Sequence, residues 1–563
     1  LPAGWSAERY GIPKELADQL DPIACYALVA TAEALVRSGI TDPYELYRYV
    51  HVSEVGSATG SGLGGLRAAR RVFMERMCDR DHQPDIYQES FLSTVPAWIN
   101  MLLMSSAGPI KTTVGACATG IVSVEVGVDT IQSGRARVML AGGADGFSEE
   151  SSYEFAQMGA TASTADELSH GRTPREMSRP CTTTRSGFVE GEGAGVVTLM
   201  AASTALAIGA PIYAIVAMTA TATDKEGRSV PAPGKGVLTS ARELPRVGPA
   251  PPLLDIAYRR RQLDLRRAQI DDWLRSERAL TIANHSSSLS SSDAAGASSS
   301  FVCAPARHHS PPQDPAAAVL KGLLAHVDLT AQRLHAEALD SWGNDFWKGN
   351  PYIAPLRGAL AVWGLSIDDI GVASFHGTST KANDINEAEI VDRQFRHLGR
   401  SPGNVVFSIC QKYLTGHPKG PASIWMLNGL LQSLLTGIVP GNRNADNIAP
   451  ELQQSDFIVY PSRSIQTTGL KAGLLKSFGF GQVGAECLLV HPDYLFATLS
   501  RDRLEEYSRK VAKRQASSYR YRHNVLVGAH PMVQVKDKPP FTADQEELLY
   551  LSPLQRLGFG EDI

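Results

Sequence analysis

Hydrophobic and polar positions along the chain follow two periods, one typical of helices and one typical of buried strands. Apolar residues recur at helical spacing over residues 14–38, which predicts one helix that ends before Gly39. The apolar run at 49–52 predicts a strand, and a glycine-rich stretch follows it. This order is typical of proteins in which strands and helices alternate.

Further short apolar runs predict the other strands of the core. They occupy residues 137–143, 196–199, 212–216, 371–375, 405–409 and 487–490. Each run is short, apolar and bounded by turn residues, as expected of buried strands. Because helical patterns separate many of these runs, the chain is predicted to have an α/β fold.

The composition of the sequence changes between residues 240 and 345, and we interpret this region as an insertion. Its first part is charged and helical, and residues 286–300 are rich in serine. Sequence of low complexity buries too little apolar surface to fold, so a disordered middle is expected. Residues 495–563 are charged and interrupted by proline, which predicts a peripheral tail or linker.

Composition excludes several classes of function. The chain has 563 residues, 43% hydrophobic and 20% charged, with a formal net charge of −4. These values are typical of a globular protein with more than one core, and they give no basic surface for nucleic acid. No apolar run reaches about 18 residues, so no membrane span is predicted. Seven scattered cysteines without a CxxC pair predict neither a disulfide framework nor a zinc site, and a cytoplasmic location is expected.

One cysteine stands where a reactive thiol is expected. Cys117 lies between small residues, just before the apolar-periodic run at 121–131 that predicts a helix. The amides and dipole at a helix N-terminus favour an anion, so this thiol is predicted to be biased toward the thiolate. Gly115 permits a tight turn before it. The alternative is a buried structural cysteine, since free cysteines are among the most buried residues.

Two histidines follow predicted strands in loops that are rich in glycine and threonine. His376 comes after the strand predicted at 371–375, and His417 follows the strand predicted at 405–409. Strand ends are where α/β folds place their functional sites. With Cys117, the two histidines form a candidate set for nucleophilic catalysis.

The glycine-rich stretch supports a rival function. Gly60, Gly62 and Gly65 satisfy the GxGxxG pattern between a predicted strand and a helix, which is the dinucleotide-binding fingerprint. On this hypothesis the chain is a nicotinamide-dependent ketoacyl reductase. No acidic residue closes a second strand about 20 residues further on, where the fingerprint requires one. A flexible loop at which backbone segments pack closely is the other interpretation.

The motifs taken together resemble those of the β-ketoacyl synthase family. The matching segments follow the order of the family within residues 14–490, and they are residues 115–119, 185–195, 376–380, 412–417 and 478–481. Within that family, residues 228–236 and 342–346 resemble the alpha subunits of fungal type I fatty acid synthases. The resemblance implies a thiolase-like α/β fold of five layers, αβαβα. Its two similar halves would span residues 1–205 and 206–494.

The resemblance also implies a role for each catalytic candidate. Cys117 would accept an acyl chain from a carrier protein and hold it as a thioester. His376 and His417 would hydrogen-bond the malonyl thioester carbonyl as carbon dioxide leaves. The backbone N–H groups of Cys117 and Phe480 would form the oxyanion hole. Lys412 would pair with Glu387 and thereby order the histidines.

Other residues would bind the substrate. The positions implied by the resemblance are Gly62, Leu63, Phe91, Thr378, Thr380 and Phe478. Gly62 and Leu63 would line the acyl pocket with Phe91 nearby, and the two threonines would hydrogen-bond the pantetheine arm. The fungal synthases that make long chains usually carry Met where Leu63 stands, and one methylene changes binding by about 1–3 kcal/mol. Leu63 would therefore change which chain length fits. Cys410, residues 421–424 and the middle of the insertion also depart from the family pattern, and these departures suggest a paralogue that makes a short starter acid, such as hexanoate, for polyketide or mycotoxin synthesis.

The resemblance further implies the partners of the chain. Substrates would be carried on the phosphopantetheine of an acyl carrier protein domain outside this segment, and no metal or bound cofactor is expected here. The synthase domains would form a homodimer within a large hetero-oligomer with a fatty acid synthase beta subunit. The chain begins at Leu1, and we expect it to be a piece of a longer polypeptide. A non-enzymatic relative is a third possibility, but such relatives usually replace the cysteine that is intact here as Cys117.

Overall fold

The computed structural model describes residues 4–81, 83, 85–225, 234–245, 248–292 and 315–557. Residues 228–233 of the segment 228–236 lie outside the described residues, as do residues 293–314 of the region predicted to be disordered. The chain divides into a larger unit, Leu1–Ala241 with Ile367–Ile563, and a smaller unit, Arg242–Ser366.

The strands of the larger unit form two main sheets and one small one. The strands are β1 (Val55–Gly60), β2 (Ile110–Lys111), β3 (Val138–Asp145), β4 (Gly193–Met200), β5 (Ile215–Thr223), β6 (Ile370–Ser374), β7 (Val406–Ile409), β8 (Ile438–Val439), β9 (Ile458–Val459), β10 (Ile465–Gln466), β11 (Ala472–Gly479) and β12 (Val483–Val490). The first sheet has the order β2-β1-β3-β4, the second has the order β5-β12-β11-β6-β7-β9, and β10 pairs with β8.

The helices alternate with these strands along most of the chain. They are α1 (Lys14–Gln19), α2 (Pro22–Arg37), α3 (Leu66–Met77), α4 (Thr94–Ile99), α5 (Thr119–Gln132), α6 (Glu149–Gln157), α7 (Thr164–Ser169), α8 (Ala202–Ile208), α9 (Ile256–Ser292), α10 (Pro315–Trp342), α11 (Pro355–Val362), α12 (Lys381–His397), α13 (Lys412–Thr415), α14 (Ala422–Thr436), α15 (Asp493–Phe496), α16 (Arg501–Leu526) and α17 (Ala543–Leu551). None of the helices in the described part of the chain is long and apolar enough to cross a membrane.

The two main sheets follow the same plan. In the first, β1 is parallel to β2 and β3, and β4 is antiparallel to β3. In the second, β11 is parallel to β6, which is parallel to β7, and β12 is antiparallel to β11. Strands β3 and β11 are buried over their whole length, and apart from Asp145, Lys476 and Ser477 their residues are small or apolar.

The two sheets enclose a central pair of helices, α5 and α14. Alternate residues of β3 face opposite ways: Val138 and Leu140 belong to the core cluster of α2, whereas Ala141 belongs to the cluster of α5 and α14. On the second sheet, Gln394 of α12 hydrogen-bonds Lys476 and Glu486, away from the central helices. The layers are therefore helix, sheet, helix pair, sheet and helix, which confirms the five-layer α/β prediction.

The N-terminal ends of the two central helices touch. The amide of Gly120 donates to the carbonyl of Gly420 at 3.1 Å, and the amide of Ile121 donates to Ser423 Oγ at 3.0 Å. A Cβ atom at Gly120 would lie 2.4 Å from Ser423 Oγ, so only glycine allows this approach. The contact brings the loops that precede α5 and α14 together, although about 300 residues separate them in sequence.

Two local predictions at the N-terminal end are wrong. The helix predicted over 14–38 is two helices, α1 and α2, because Asp21 accepts a hydrogen bond from the Ile23 amide at 3.1 Å and Pro22 opens the second helix. The strand predicted at 49–52 starts only at Val55. A 3-10 turn, Val52–Glu54, precedes it, capped by the side chain of His51.

The C-terminal segment, predicted to be a peripheral tail or linker, is mostly helical and packs on the first sheet's side of the larger unit. Tyr507 donates to the carbonyl of Ala210 at 2.9 Å, and Ser518 Oγ donates to the carbonyl of Val36 at 2.6 Å. The amide of Val533 donates to the carbonyl of Tyr10 at 2.8 Å, and its side chain is fully buried.

The smaller unit contains two long helices that pack together, α9 and α10. Arg278 and Asp328 form an ion pair of 2.5 Å, while Asp271 faces His335 at 3.1 Å. The residue number in α10 falls from 335 to 328 as the residue number in α9 rises from 271 to 278, so the two helices are antiparallel. Their apolar contacts include Ile270, Ala331 and Ala338.

Candidate active site

Cys117 lies in a 3-10 turn, Ala116–Ala118, directly before α5. Ala116 has a φ of 47°, in the left-handed region that residues with a side chain rarely adopt. The hydroxyl of Thr119 holds this turn, because it accepts from the Gly115 amide at 3.0 Å and donates to the Ala116 carbonyl at 2.7 Å. The turn therefore fixes Cys117 at the N-terminal end of α5.

The resting state of the Cys117 sulfur is the thiol. Its residue is 6% exposed, and burial raises the pKa of the thiol to about 11. The ammonium of Lys412 and the N–H of Phe480 lower this pKa, but they do not outweigh the loss of solvation. The expected thiolate bias from the helix N-terminus is therefore wrong, since desolvation dominates. Any attack by this sulfur requires a base to take its proton.

The end of β11 lies against the cysteine turn. Ser477 Oγ donates to the carbonyl of Cys117 at 3.0 Å, and a Cβ atom at Gly479 would lie 2.3 Å from the carbonyl of Gly115. The next residue, Phe480, directs its N–H at the Cys117 sulfur. This amide and that of Cys117 are thus close to the atom that would carry an acyl group.

The turn that carries His376 is held by a carboxylate of α12. Glu387 accepts from the amide of His376 at 2.6 Å and from the amide of Gly377 at 3.0 Å. The carboxylate is fully buried, and burial raises its pKa above the usual range. Its role in this structure is to orient the backbone that bears His376.

Lys412 contacts His376 and does not form the expected salt bridge with Glu387. Its ammonium donates to three acceptors: His376 Nδ1 at 3.3 Å, the carbonyl of His376, and Met426 Sδ at 3.2 Å. The backbone amides of the histidine turn occupy the carboxylate of Glu387 instead. Burial lowers the pKa of Lys412 below its ordinary value.

These contacts determine the tautomer of His376. Nδ1 lies 3.3 Å from the Lys412 ammonium and 3.1 Å from Ser477 Oγ, and the single hydroxyl hydrogen of Ser477 is directed to the Cys117 carbonyl. An ammonium only donates, so Nδ1 is the acceptor and the ring proton resides on Nε2. Burial, the charge of Lys412 and the neighbouring His417 hold the pKa of His376 well below its usual value. His376 is thus a neutral donor through Nε2.

His417 faces His376 across the site. The two ring centroids are 5.3 Å apart and nearly perpendicular, and the ring of Phe188 packs against His417 at 5.1 Å. The amide of His417 donates to the Val189 carbonyl at 2.7 Å, which fixes its backbone. Burial, with Lys412 and then Lys419, holds the pKa of His417 well below its usual value. Its Nδ1 has no hydrogen-bond partner among the described residues.

The glycine-rich loop is bound to a buried carboxylate, that of Asp145 at the end of β3. This carboxylate accepts from Ser61 Oγ at 2.5 Å and from the amides of Gly62 and Leu63, each at 3.0 Å. It also accepts from the amide of Gly420 at 2.5 Å. A dinucleotide phosphate needs free amides at this loop, and here they already bind an internal anion. The GxGxxG prediction of a reductase is therefore wrong.

Three other predicted residues, Thr378, Thr380 and Phe478, lie near His376. Thr378 Oγ1 and Thr380 Oγ1 are 2.9 Å apart just after His376, and the ring of Phe478 lies 6.1 Å from that of His376. Phe91, expected beside the acyl pocket, is half exposed and packs on Tyr87 at 5.4 Å. Its neighbours along the chain, Ser90 and Leu92, approach Gly64 of the glycine-rich loop.

Two functional residues escaped the sequence interpretation, Asp145 and Ser477. Asp145 ends a buried strand, the same position that drew attention to His376, so this signal could have found it. Ser477 lies inside β11 and is fully buried. No sequence pattern distinguishes such a serine from a small core residue.

Comparison with protein families assigns the class. Residues 3–205 match the family described as "Beta-ketoacyl synthase, N-terminal domain", and residues 346–446 match "Beta-ketoacyl synthase, C-terminal domain". Together these segments span more than half of the chain and include Cys117, His376, Lys412 and His417. The chain belongs to the β-ketoacyl synthase family.

Within that family the chain is similar to fungal proteins. It is 54% identical over 558 residues to the fatty acid synthase subunit alpha of Candida albicans, covering 99% of this chain and 29% of the relative. It is 51% identical over 560 residues to the fatty acid synthase subunit alpha of Saccharomyces cerevisiae, covering 99% and 28%. The resemblance to fungal fatty acid synthase alpha subunits is confirmed. The chain spans less than a third of the length of these relatives.

A solved structure supports the fold. The noncanonical ketosynthase FabY from P. aeruginosa superposes with a TM-score of 0.68 at 20% identity, over 97% of this chain and 68% of that chain. At this identity the comparison shows the architecture alone, and the architecture agrees with the thiolase-like prediction.

Proposed function

We propose that this domain catalyses the decarboxylative condensation of a malonyl group with an acyl chain held on Cys117. Both substrates would arrive as thioesters of phosphopantetheine on an acyl carrier protein domain. The observation that carries the proposal is the link between Cys117 and the two histidines: Ser477 Oγ donates to the Cys117 carbonyl and lies 3.1 Å from Nδ1 of His376, whose ring faces that of His417. Neutral imidazoles both accept a proton from a thiol and donate to an oxyanion.

The first step is acyl transfer to Cys117. The thiol passes its proton to the neutral imidazole of His417 as the sulfur attacks the carrier thioester carbonyl, because Nδ1 of His376 already accepts from Lys412 and its Nε2 carries a proton. The amides of Cys117 and Phe480 stabilise the tetrahedral oxyanion, and the pantetheine thiolate leaves with the proton. Burial of Cys117 supports this order, because a buried thiol stays protonated until the substrate and the base are in place.

The second step is loss of carbon dioxide from the malonyl thioester. The Nε2–H of His376, together with His417, donates to the thioester carbonyl, which becomes an enolate as the C–C bond to the carboxylate breaks. The enolate carbon then attacks the acyl carbonyl, and the Cys117 thiolate leaves. The β-ketoacyl product remains on the carrier, and the sulfur regains a proton.

The substrate-binding residues and the partners follow from the same reaction. Thr378 and Thr380 are candidates to hydrogen-bond the pantetheine arm, supported by their adjacent hydroxyls after His376. Gly62 and Leu63 would line the acyl pocket, supported by the position of Gly62, at which a Cβ atom would lie 3.2 Å from the Ala116 carbonyl. The carrier domain, a fatty acid synthase beta subunit, a homodimer of synthase domains and a cytoplasmic location complete the proposal.

The domain division is also a proposal. The first half would span residues 1–205 and the second half 206–494, with the insertion at 240–345 and a peripheral segment at 495–563. It is supported by the two main sheets: β1–β4 all end before residue 205, and β5 with the remaining strands follows it.

A mass measurement tests the proposed function. After incubation with an acyl carrier thioester, the tryptic peptide that contains Cys117 should carry the acyl mass. Addition of malonyl carrier should then remove this mass and release carbon dioxide. An acyl group that stays on Cys117 in the presence of malonyl carrier, or that resides on another residue, contradicts the proposal.

Product analysis tests the proposed short-chain specialisation. If Leu63 restricts the acyl pocket, the full synthase should release mainly short acids such as hexanoate, and Leu63→Met should shift the products toward longer acids. Leu265, an exposed leucine of α9, gives a matched control as Leu265→Met. Release of C16–C18 acids as the main products of the unchanged synthase contradicts the specialisation.

A further inference from the structure

Two buried cysteines outside the catalytic set face each other. The sulfurs of Cys181 and Cys410 are 3.2 Å apart, a thiol–thiol contact and not a bond. Cys181 is 2% exposed, and Cys410 is fully buried directly after β7. No step proposed above uses either sulfur.

The backbone on both sides holds the two sulfurs in this arrangement. Cys181 has a φ of 68°, and its amide donates to Asp384 Oδ2 at 2.8 Å. Its carbonyl accepts from the amide of Ala449 at 2.9 Å. The amide of Cys410 donates to Asn442 Oδ1 at 2.8 Å. Because both main chains are anchored, the sulfurs remain in contact at little entropic cost.

Cys410 also contacts the machinery that orients His376. It precedes Lys412 by two residues, and a Cβ atom at Gly377 would lie 3.1 Å from the Cys410 sulfur. Lys412 donates to Nδ1 of His376, as described above. A displacement of Cys410 therefore moves the lysine and presses on the histidine turn.

The charges around the pair keep both sulfurs as thiols. The thiol contact with Cys181, in which either sulfur can donate, and the ammonium of Lys412 lower the pKa of Cys410, but burial, Asp384 and Glu387 raise it, so this pKa is raised overall. Burial, first, and then the thiol contact raise the pKa of Cys181. The neighbouring ammonium of Lys412 favours the thiolate form of Cys410, which makes Cys410 the better nucleophile of the two.

We infer that Cys181 and Cys410 form an oxidation site, at which hydrogen peroxide converts the two thiols into a reversible disulfide that stops the condensation. The Cys410 sulfur attacks one peroxide oxygen, the O–O bond breaks, and water leaves with the thiol proton, so that a sulfenic acid remains. The Cys181 sulfur attacks the sulfenic sulfur, and the hydroxyl leaves as a second water with the Cys181 proton. The two thiols lose two electrons to peroxide, and a dithiol reductant restores them.

The oxidised pair distorts the catalytic residues because the sulfurs have to approach. A disulfide bond is about 2.05 Å long, whereas the thiols are 3.2 Å apart. The chain must absorb the difference of about 1 Å at Cys410, at Cys181 or at both. A misplacement of about 1 Å near a reacting group lowers a rate by about 100-fold. The oxidised chain is thus expected to lose most of its activity through Lys412 and His376.

Peptide mapping tests the cross-link without reference to activity. The full chain is treated with hydrogen peroxide under native conditions, free thiols are alkylated in denaturant, and the digest is analysed without reductant. The expected result is a linked peptide of Cys181 and Cys410 that dithiothreitol separates. The same linked peptide is expected for the control variant Cys487→Ala, which removes a solitary buried thiol of β12. Recovery of both cysteines as separate alkylated peptides, with Cys117 oxidised, overturns the inference.

Activity measurements test the consequence, which rests on the proposed function. Cys117 is first acylated with substrate so that peroxide cannot consume it, and condensation is measured before and after dithiothreitol. After peroxide, the condensation rate of the wild-type chain should fall by about 10- to 100-fold and return with dithiothreitol. The rate of Cys181→Ser should show no loss that dithiothreitol reverses. Cys410→Ala gives a second test if the first variant does not fold. If peroxide inactivates Cys181→Ser and Cys410→Ala reversibly and to the same extent as the wild-type chain, the consequence is overturned. The peptide mapping does not depend on the proposed function, so its result stands even if that function is wrong.

Discussion

Single side chains determine the chemistry of this site through solvation and hydrogen bonding. Burial raises the pKa of Cys117 and lowers the pKa of both histidines, so the groups meet as a thiol and two neutral imidazoles. The sequence predicted this set of residues but assigned the wrong charge to the sulfur. Burial of a single atom is a tertiary property, and it outweighed the local effect of the helix N-terminus.

Replacement of the nucleophile separates the two steps of the proposed reaction. Cys117→Ala should abolish condensation, because no sulfur remains to hold the acyl chain. Decarboxylation of malonyl carrier should persist, since His376 and His417 remain. Carbon dioxide release and β-ketoacyl product are measured in parallel, and Cys25→Ala, a buried cysteine of α2, serves as control. Condensation by Cys117→Ala would remove this residue from the mechanism.

Replacement of Lys412 tests the tautomer of His376. Lys412→Met removes the charge but keeps the length, so Nδ1 loses its donor and the proton is no longer held on Nε2. Decarboxylation should fall by about 100-fold, as expected for a lost oxyanion donor. The exposed substitution Lys471→Met should leave the rate unchanged. An unaltered decarboxylation rate in Lys412→Met contradicts the assignment.

The same lysine predicts the pH profile. Burial lowers the pKa of Lys412. As pH rises, its ammonium therefore loses its proton before the pH reaches about 10.4, the pKa of a free lysine. Decarboxylation should therefore decline on the alkaline side before pH 10.4, and this decline should vanish in Lys412→Met. On the acid side, the histidines stay neutral well below pH 6.5, because their pKa values are lowered. A loss of rate centred near 6.5 contradicts this prediction.

At the scale of elements, the site depends on the meeting of two helix N-termini. Helices α5 and α14 start at the cysteine turn and after the His417 loop, and the carboxylate of Asp145 binds amides on both sides of this junction. The glycine pattern predicted a phosphate-binding loop, because a glycine-rich turn before a helix can bind any anion. The structure supplies the anion from β3 instead.

Asp145→Asn tests this junction. The substituted amide group brings its own N–H donors toward backbone N–H groups, so buried donors are left unpaired. The free energy of unfolding should fall by about 1–3 kcal/mol, measured as a lower midpoint of urea unfolding. Asp166→Asn on the exposed α7 gives the control. Equal midpoints for the two variants contradict a clamping role for Asp145.

At the scale of the whole molecule, the first sheet ends in an exposed strand. Strand β2 is the terminal strand of its sheet, and Ile110 on it is 43% exposed. Edge strands with apolar residues pair readily with another chain. This edge supports the proposed homodimer of synthase domains.

Light scattering tests the dimer. In solution the chain should have the mass of a dimer, twice its own 60.5 kDa. Ile110→Lys should have the mass of a monomer, because charge at a sheet edge opposes pairing. Ile282→Lys, at an exposed isoleucine of α9, should remain a dimer. A monomeric wild-type chain, or loss of the dimer in both variants, contradicts this interface.

The sequence by itself determined the α/β class and most of the core strands, and it singled out Cys117, His376 and His417 as the candidate catalytic set. These features depend on local periodicity and on motifs that are continuous along the chain, so they can be read without a fold. The wrong predictions near the N-terminus, at residues 14–38 and 49–52, came from caps whose effect depends on side-chain geometry.

Only the tertiary structure decided the protonation of Cys117, the partner of Lys412, the internal anion of the glycine-rich loop and the contact of Cys181 with Cys410. Each of these depends on solvation and distance between segments that are far apart in sequence. Neither quantity follows from residue order, because a pKa and a hydrogen bond depend on what surrounds the group in three dimensions.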